Sequence, residues 1–113
     1  MHEYSLVQAL MERIEQEATA RRAVAIHRVR VRIGELSGVE PDLFASAFEI
    51  VRDRTICAHA VLDITRVPAR WECPACQTTF APGGALQCAR CGAPARLAAG
   101  DDILLEQIEM EVP

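Results

Sequence analysis

Cys73-Pro74-Ala75-Cys76 and Cys88-Ala89-Arg90-Cys91 are two Cys-x-x-Cys pairs with eleven residues between them, and their reading decides how the rest of the chain is divided. Each pair forms a tight knuckle whose two sulfurs point the same way, and two knuckles folded together complete a tetrahedron of thiolates suited to Zn²⁺. Pro74 stiffens the first knuckle. Gly92, directly after the second, lets the backbone take positive φ and turn its N–H groups toward sulfur. A closed four-sulfur shell leaves no position for a substrate water, so the expected zinc is structural and supplies folding free energy. Iron in a rubredoxin-like site would accept the same tetrahedron. Two disulfides would use the same cysteines, but only in an oxidising compartment. The N-terminus Met1-His2-Glu3-Tyr4-Ser5 has no basic region, and Glu12 and Arg13 interrupt any apolar run. No signal peptide is expected, and in a reducing cytosol the thiols stay available to metal.

The cysteine window also explains the composition around it. Between Arg70 and Ala99 the large apolar residues are Trp71, Phe80, Leu86 and Leu97, too few to bury a core without metal. The rest of the 113 residues is richer in Leu, Ile, Val and Phe, so the chain divides into an ordinary small domain and a metal-stapled insert. The expected boundaries are 1–68 plus 98–113 for the first and 69–97 for the second. A net charge of −4 argues against a nucleic-acid partner, which needs clustered positive charge. All twelve basic residues are arginine, a composition bias rather than a functional sign. No stretch has the roughly 18 apolar residues that a bilayer span requires, so a membrane role is not expected.

Upstream, Val7, Leu10, Met11, Ile14 and Ala18 recur at three- and four-residue steps and predict an amphipathic helix from about Tyr4 to Arg22. Ser5 with Gln8 makes a capping box, with a start nearer His2 as the alternative. The period then changes to two: His27, Val29, Val31 and Ile33 alternate with Arg28, Arg30 and Arg32, predicting a strand with one wet arginine face. His27 is expected on the valine side as a satisfied core or edge histidine. Pro41 opens a second helix whose buried stripe is Phe44, Ala47, Phe48 and Val51. A second strand follows from Ala60 to Val67, stopped by Pro68. A last strand from Ile103 to Val112 places Leu104, Ile108, Met110 and Val112 on one face. The expected fold class is α+β: two helices on a three-stranded mixed sheet, completed only by the C-terminus, with an inserted zinc ribbon. Cys57, the odd cysteine, reads as a small core or loop residue.

Position 2 is the other place where chemistry concentrates. The His2 imidazole can chelate a metal together with the Met1 α-amine, its own amide nitrogen and the Glu3 amide nitrogen. Four nitrogens in a plane suit Ni(II) or Cu(II) and disfavour zinc. The bulk of His2 should also keep Met1 from being trimmed.

Met1-His2-Glu3, the core Gly34-Glu35-Leu36-Ser37-Gly38-Val39, the Phe44 to Phe48 helix, the Ala60 to Ile64 strand and the paired knuckles follow in one order. In this the chain resembles the HypA/HybF family of nickel metallochaperones for [NiFe]-hydrogenase maturation, over essentially its whole length. The resemblance implies a nickel site on His2 with Met1 and Glu3 as co-ligands, and a structural zinc on Cys73, Cys76, Cys88 and Cys91. It also implies as partners the HypB GTPase and the [NiFe]-hydrogenase large-subunit precursor, with urease maturation proteins in some members. Two departures stand out. Arg54 precedes Thr55 where the family commonly has glycine, and no histidine follows His59, so a zinc site that exchanges ligands with pH is not expected.

The expected function is therefore a cytoplasmic nickel carrier without catalysis. The three histidines are scattered and no glycine-rich phosphate loop occurs, so nucleotide hydrolysis would belong to a partner. Three rivals are a zinc-ribbon nucleic-acid module, which lacks its basic patch, a rubredoxin-like electron carrier, and an adaptor that would not need His2.

Overall fold

The computed structural model describes residues 2–80 and 84–113, and of His2 the backbone alone. Helix α1 spans His2–Ala20, strand β1 Ala25–Gly34, helix α2 Pro41–Val51 and strand β2 Val61–Val67. Two short strands, β3 (Arg70–Glu72) and β4 (Arg96–Ala99), precede β5 (Ile103–Glu111). The larger sheet has the order β2-β1-β5, with β1 parallel to β2 and antiparallel to β5. This is the mixed three-stranded sheet expected, closed by the C-terminal strand. β3 and β4 form a separate antiparallel pair that carries the cysteine knuckles between them.

One apolar core accounts for the α/β body. Val7, Met11, Ile14 and Ala18 of α1, Ile26, Val29, Val31 and Ile33 of β1, and Phe44, Ala47 and Phe48 of α2 are all buried in it. Phe44 and Phe48 are among the largest fully buried side chains, as the helical spacing predicts. Pro41 stands in the first turn of α2 with Glu40 as its N-cap, whose carboxylate accepts the Asp42 N–H at 3.1 Å. α1 begins at His2, so Ser5 lies inside the helix and is not its cap.

Two register shifts correct the strand reading. Between Ile26 and Arg28 the β1–β5 ladder slips by one residue, so Ile26 is buried and His27 turns outward, with its Nε2 3.0 Å from a Glu111 carboxylate oxygen. A second shift pairs Arg30 with Gln107 but Val31 with Leu105, leaving Glu106 as the extra residue. A bulge reverses the parity of every residue beyond it. Ile103, Leu105, Ile108 and Met110 therefore pack on the core, while Leu104 is 54% exposed; Val112 lies past the end of β5 and is exposed too.

The chain is elongated, with a radius of gyration of 18.0 Å against about 13 Å for a compact domain of this length. Where the chain leaves the body for the ribbon and where it returns, it is tied to the end of β1. The N–H groups of Gly34, Glu35 and Leu36 donate to the carbonyls of Asp102, Val67 and Gly100, and Glu35 Oε1 accepts the Ala69 N–H at 2.7 Å. Gly100 has φ +99°, and a Cβ there would lie 2.7 Å from Ala69 Cα, so the crossing of the two linkers requires glycine.

Candidate metal centres

The two knuckles are built alike. In the first, the Cys73 N–H donates to Thr78 O at 3.0 Å and the Gln77 N–H to Cys73 O at 2.8 Å. In the second, the Cys88 N–H donates to Ala93 O and the Gly92 N–H to Cys88 O, both at 2.8 Å. Each turn closes through a residue of positive φ four places after its first cysteine: Gly92 at +76°, as expected, and Gln77 at +58°.

These turns bring the sulfurs of Cys73, Cys76, Cys88 and Cys91 within 4.8 Å of one another. The donor set is four soft sulfurs, which fits Zn²⁺. Among the described residues no other group of three or more His, Cys, Asp or Glu side chains lies close enough to hold an ion. As thiols the four divide by place in the knuckle. Cys73 is lowered to about 7, first by the Cys76 N–H, which reaches its sulfur at 3.3 Å. Cys88 is lowered by the N–H groups of Cys91 and Arg90. Cys76 is pushed up to about 12, first by its hydrogen bond with Cys91. Cys91 is pulled down by the Ala93 N–H but raised on balance, chiefly by Cys73. Backbone dipoles thus already favour the thiolate form at the first cysteine of each pair.

Of the N-terminal residues, Met1 and the His2 side chain lie outside the described residues, and the backbone of His2 opens α1. The first N–H groups of a helix have no intrahelical acceptor, so ligation through the His2 and Glu3 nitrogens would break no helical hydrogen bond. A Glu3 carboxylate oxygen accepts the Glu40 N–H at 3.4 Å, tying the start of α1 to the start of α2. Sequence reasoning missed this Glu3–Glu40 contact. Its signal was the Glu40-Pro41 helix start, but only tertiary packing sets the two helix starts side by side.

The other singled-out residues are accounted for. Arg28 pairs with Asp63 and, at 3.1 Å, with Glu109, and the carboxylates raise its pKa. Arg30 reaches Asp63 and Gln107, and Arg32 lies 3.4 Å from Glu106. The arginine stripe is therefore a charge-compensated wet face. Cys57 is fully buried, and desolvation followed by the Glu15 charge pushes its thiol up to about 11. Arg54 takes φ +62°, the left-handed conformation that glycine adopts freely.

Residues 1–110 match the family model described as "Hydrogenase/urease nickel incorporation, metallochaperone, hypA". The chain is 40% identical over 114 residues to the hydrogenase maturation factor HypA of Wolinella succinogenes, covering 98% of this chain and 96% of that one. It is 40% identical over 113 residues to the factor of the same name from Shewanella oneidensis, with the same coverage. The solution structure of the Ni metallochaperone HypA from Helicobacter pylori superposes with a TM-score of 0.71 at 34% identity, covering 98% of both chains. A second solution structure, of a HypA protein, gives 0.78 at 36% identity over 97% of this chain and 96% of the other. A two-helix mixed sheet with an inserted four-cysteine ribbon, matched from end to end in sequence and in structure, places this chain in the HypA family.

Proposed function

We propose that the chain carries Ni(II) at its N-terminus and delivers it to the precursor of a [NiFe]-hydrogenase large subunit, with zinc at Cys73, Cys76, Cys88 and Cys91 holding the ribbon. The observation that carries this reading is the whole-chain likeness to hydrogenase maturation factors and to a solved Ni metallochaperone, in a chain that reads Met1-His2-Glu3. The ligands are the Met1 amine, the His2 imidazole and the backbone nitrogens of His2 and Glu3. The nickel unit comprises 1–68 with 98–113, and the zinc unit 69–97.

Cargo must be held and then released. A site at the end of a helix can lose its ligands one at a time to a competing partner, without opening the core. Zinc supplies the ribbon with a rigid centre and no chemistry, since four sulfurs fill its coordination. The protein acts as a cytoplasmic carrier rather than an enzyme. The HypB GTPase and the hydrogenase precursor are the partners of this reading, and the family description's mention of urease extends it to urease maturation proteins. Neither nucleic acid nor membrane enters it. Each nickel ligand must lose a proton, so affinity falls as pH falls and binding releases protons.

Calorimetric nickel titration of untagged protein tests the site. His2→Ala should abolish tight binding, whereas His27→Ala, which removes an imidazole already paired with Glu111, and His59→Ala should leave it unchanged. Wild-type affinity in His2→Ala would rule the site out and favour a zinc-held adaptor.

A further inference from the structure

The four cage cysteines are not equally covered. Cys73 is 0% and Cys88 4% exposed, while Cys76 is half-buried and Cys91 exposed. In each pair the first cysteine is buried and the second is more exposed. Arg90, which precedes Cys91 in the chain, is also exposed. Across the cage, Cys73 Sγ lies 3.4 Å from Cys91 Sγ. The fifth cysteine offers the opposite environment: Cys57 takes no part in the cage, yet its side chain is sealed in the core.

We propose that the zinc cage opens from its solvent side, with Cys91 as the sulfur attacked by hydroperoxides and soft electrophiles and Cys73 as the sulfur that resolves its oxidised form. The inference rests on the zinc reading of the cage. Thiolate reactivity needs access as well as charge, and a metal-bound sulfur keeps a lone pair that an approaching electrophile can reach. With a hydroperoxide as oxidant, the Cys91 sulfur attacks the distal oxygen and the O–O bond breaks. The leaving alkoxide or hydroxide takes a proton, and Cys91 becomes a sulfenic acid. Cys73 then attacks the Cys91 sulfur, expels hydroxide, which takes a second proton, and forms the Cys73–Cys91 disulfide. Two thiolates have given two electrons to one peroxide. Zinc has lost two of its four ligands and leaves, and the ribbon loses the centre that folds it. A thiol reductant reverses the step. The free thiol of the fold is thus inert, and the reactive sulfur is a metal ligand.

The test uses full-length, zinc-loaded protein with hydrogen peroxide or limiting N-ethylmaleimide. Zinc release is followed with a chromogenic chelator, and modified cysteines are located by peptide mass mapping. Cys91 should be alkylated first, about ten-fold or more ahead of Cys57. Peroxide should release zinc and yield the Cys73–Cys91 disulfide, and Cys57→Ser should release zinc at the unchanged rate. Even labelling over the cage, first labelling of Cys57, or a disulfide joining another pair would overturn the proposal. Protein purified without zinc would overturn the cage reading itself, and this inference with it.

Discussion

The α/β body and the ribbon solve the folding problem by different means. The body buries Ile, Val, Met and Phe from two helices and a sheet around Phe44 and Phe48. The ribbon's buried side chains, among the described residues, are Cys73 and Cys88; Trp71, Phe80 and Leu97 are only partly covered, and Leu86 is exposed. One unit is held by apolar area removed from water, and the other by the ion that its thiolates take up. That the two fold independently is the expectation most easily broken.

The largest effect should come from the metal. Cys73→Ser, or a strong chelator, should unfold the ribbon completely while the helical circular-dichroism signal persists. Loss of the helices along with the zinc would show that the two units are one cooperative fold. Next comes the converse. Phe48→Ala leaves a cavity at the centre of the body and should cost it about 3–5 kcal/mol, read from urea midpoints. Zinc content should not change.

A smaller effect belongs to Cys57, whose buried thiol is raised to about 11 from an ordinary 9.0. A raised pKa contributes stability that is whole below about pH 9, where the unfolded chain's thiol ionises, and is lost as pH climbs through about 11. Cys57→Ala should therefore flatten the alkaline decline in stability, measured as urea midpoints against pH. All twelve basic residues are arginine, so no lysine titration masks the window. An unchanged decline would mean that the thiol is open to water in solution.

The smallest effect concerns Arg54 at φ +62°. Arg54→Gly removes the cost of a left-handed side-chain residue but frees the unfolded chain, so the net gain should stay below about 1 kcal/mol. A thermal melt that fell instead would show that the arginine side chain makes a contact worth more than its strain.

The same contrast separates what could be read in the sequence from what could not. The helices and strands were legible because their apolar residues repeat at clear periods, and the cage because two Cys-x-x-Cys pairs at this spacing have few other uses. The outward turn of His27 and Leu104 was not legible. Each depends on a one-residue bulge, and a short alternating run looks the same with or without it. Gln77 had a signal that went unread: it stands four residues after Cys73, as Gly92 does after Cys88, and the matching knuckle imposes positive φ on it. The Glu3–Glu40 contact joins residues 37 apart in the chain, and no local pattern announces it.

The central claim is that nickel is held by the terminus itself, through an amine that exists only while Met1 is the first residue. The most direct measurement is nickel stoichiometry and visible absorption of untagged protein beside the same chain extended by two residues ahead of Met1. The extension keeps every side chain and the zinc cage and removes only the terminal amine. One nickel with a planar four-nitrogen spectrum in the native chain, lost in the extended one, is the expected result. An extended chain that binds nickel equally well, with the same spectrum, would contradict the account.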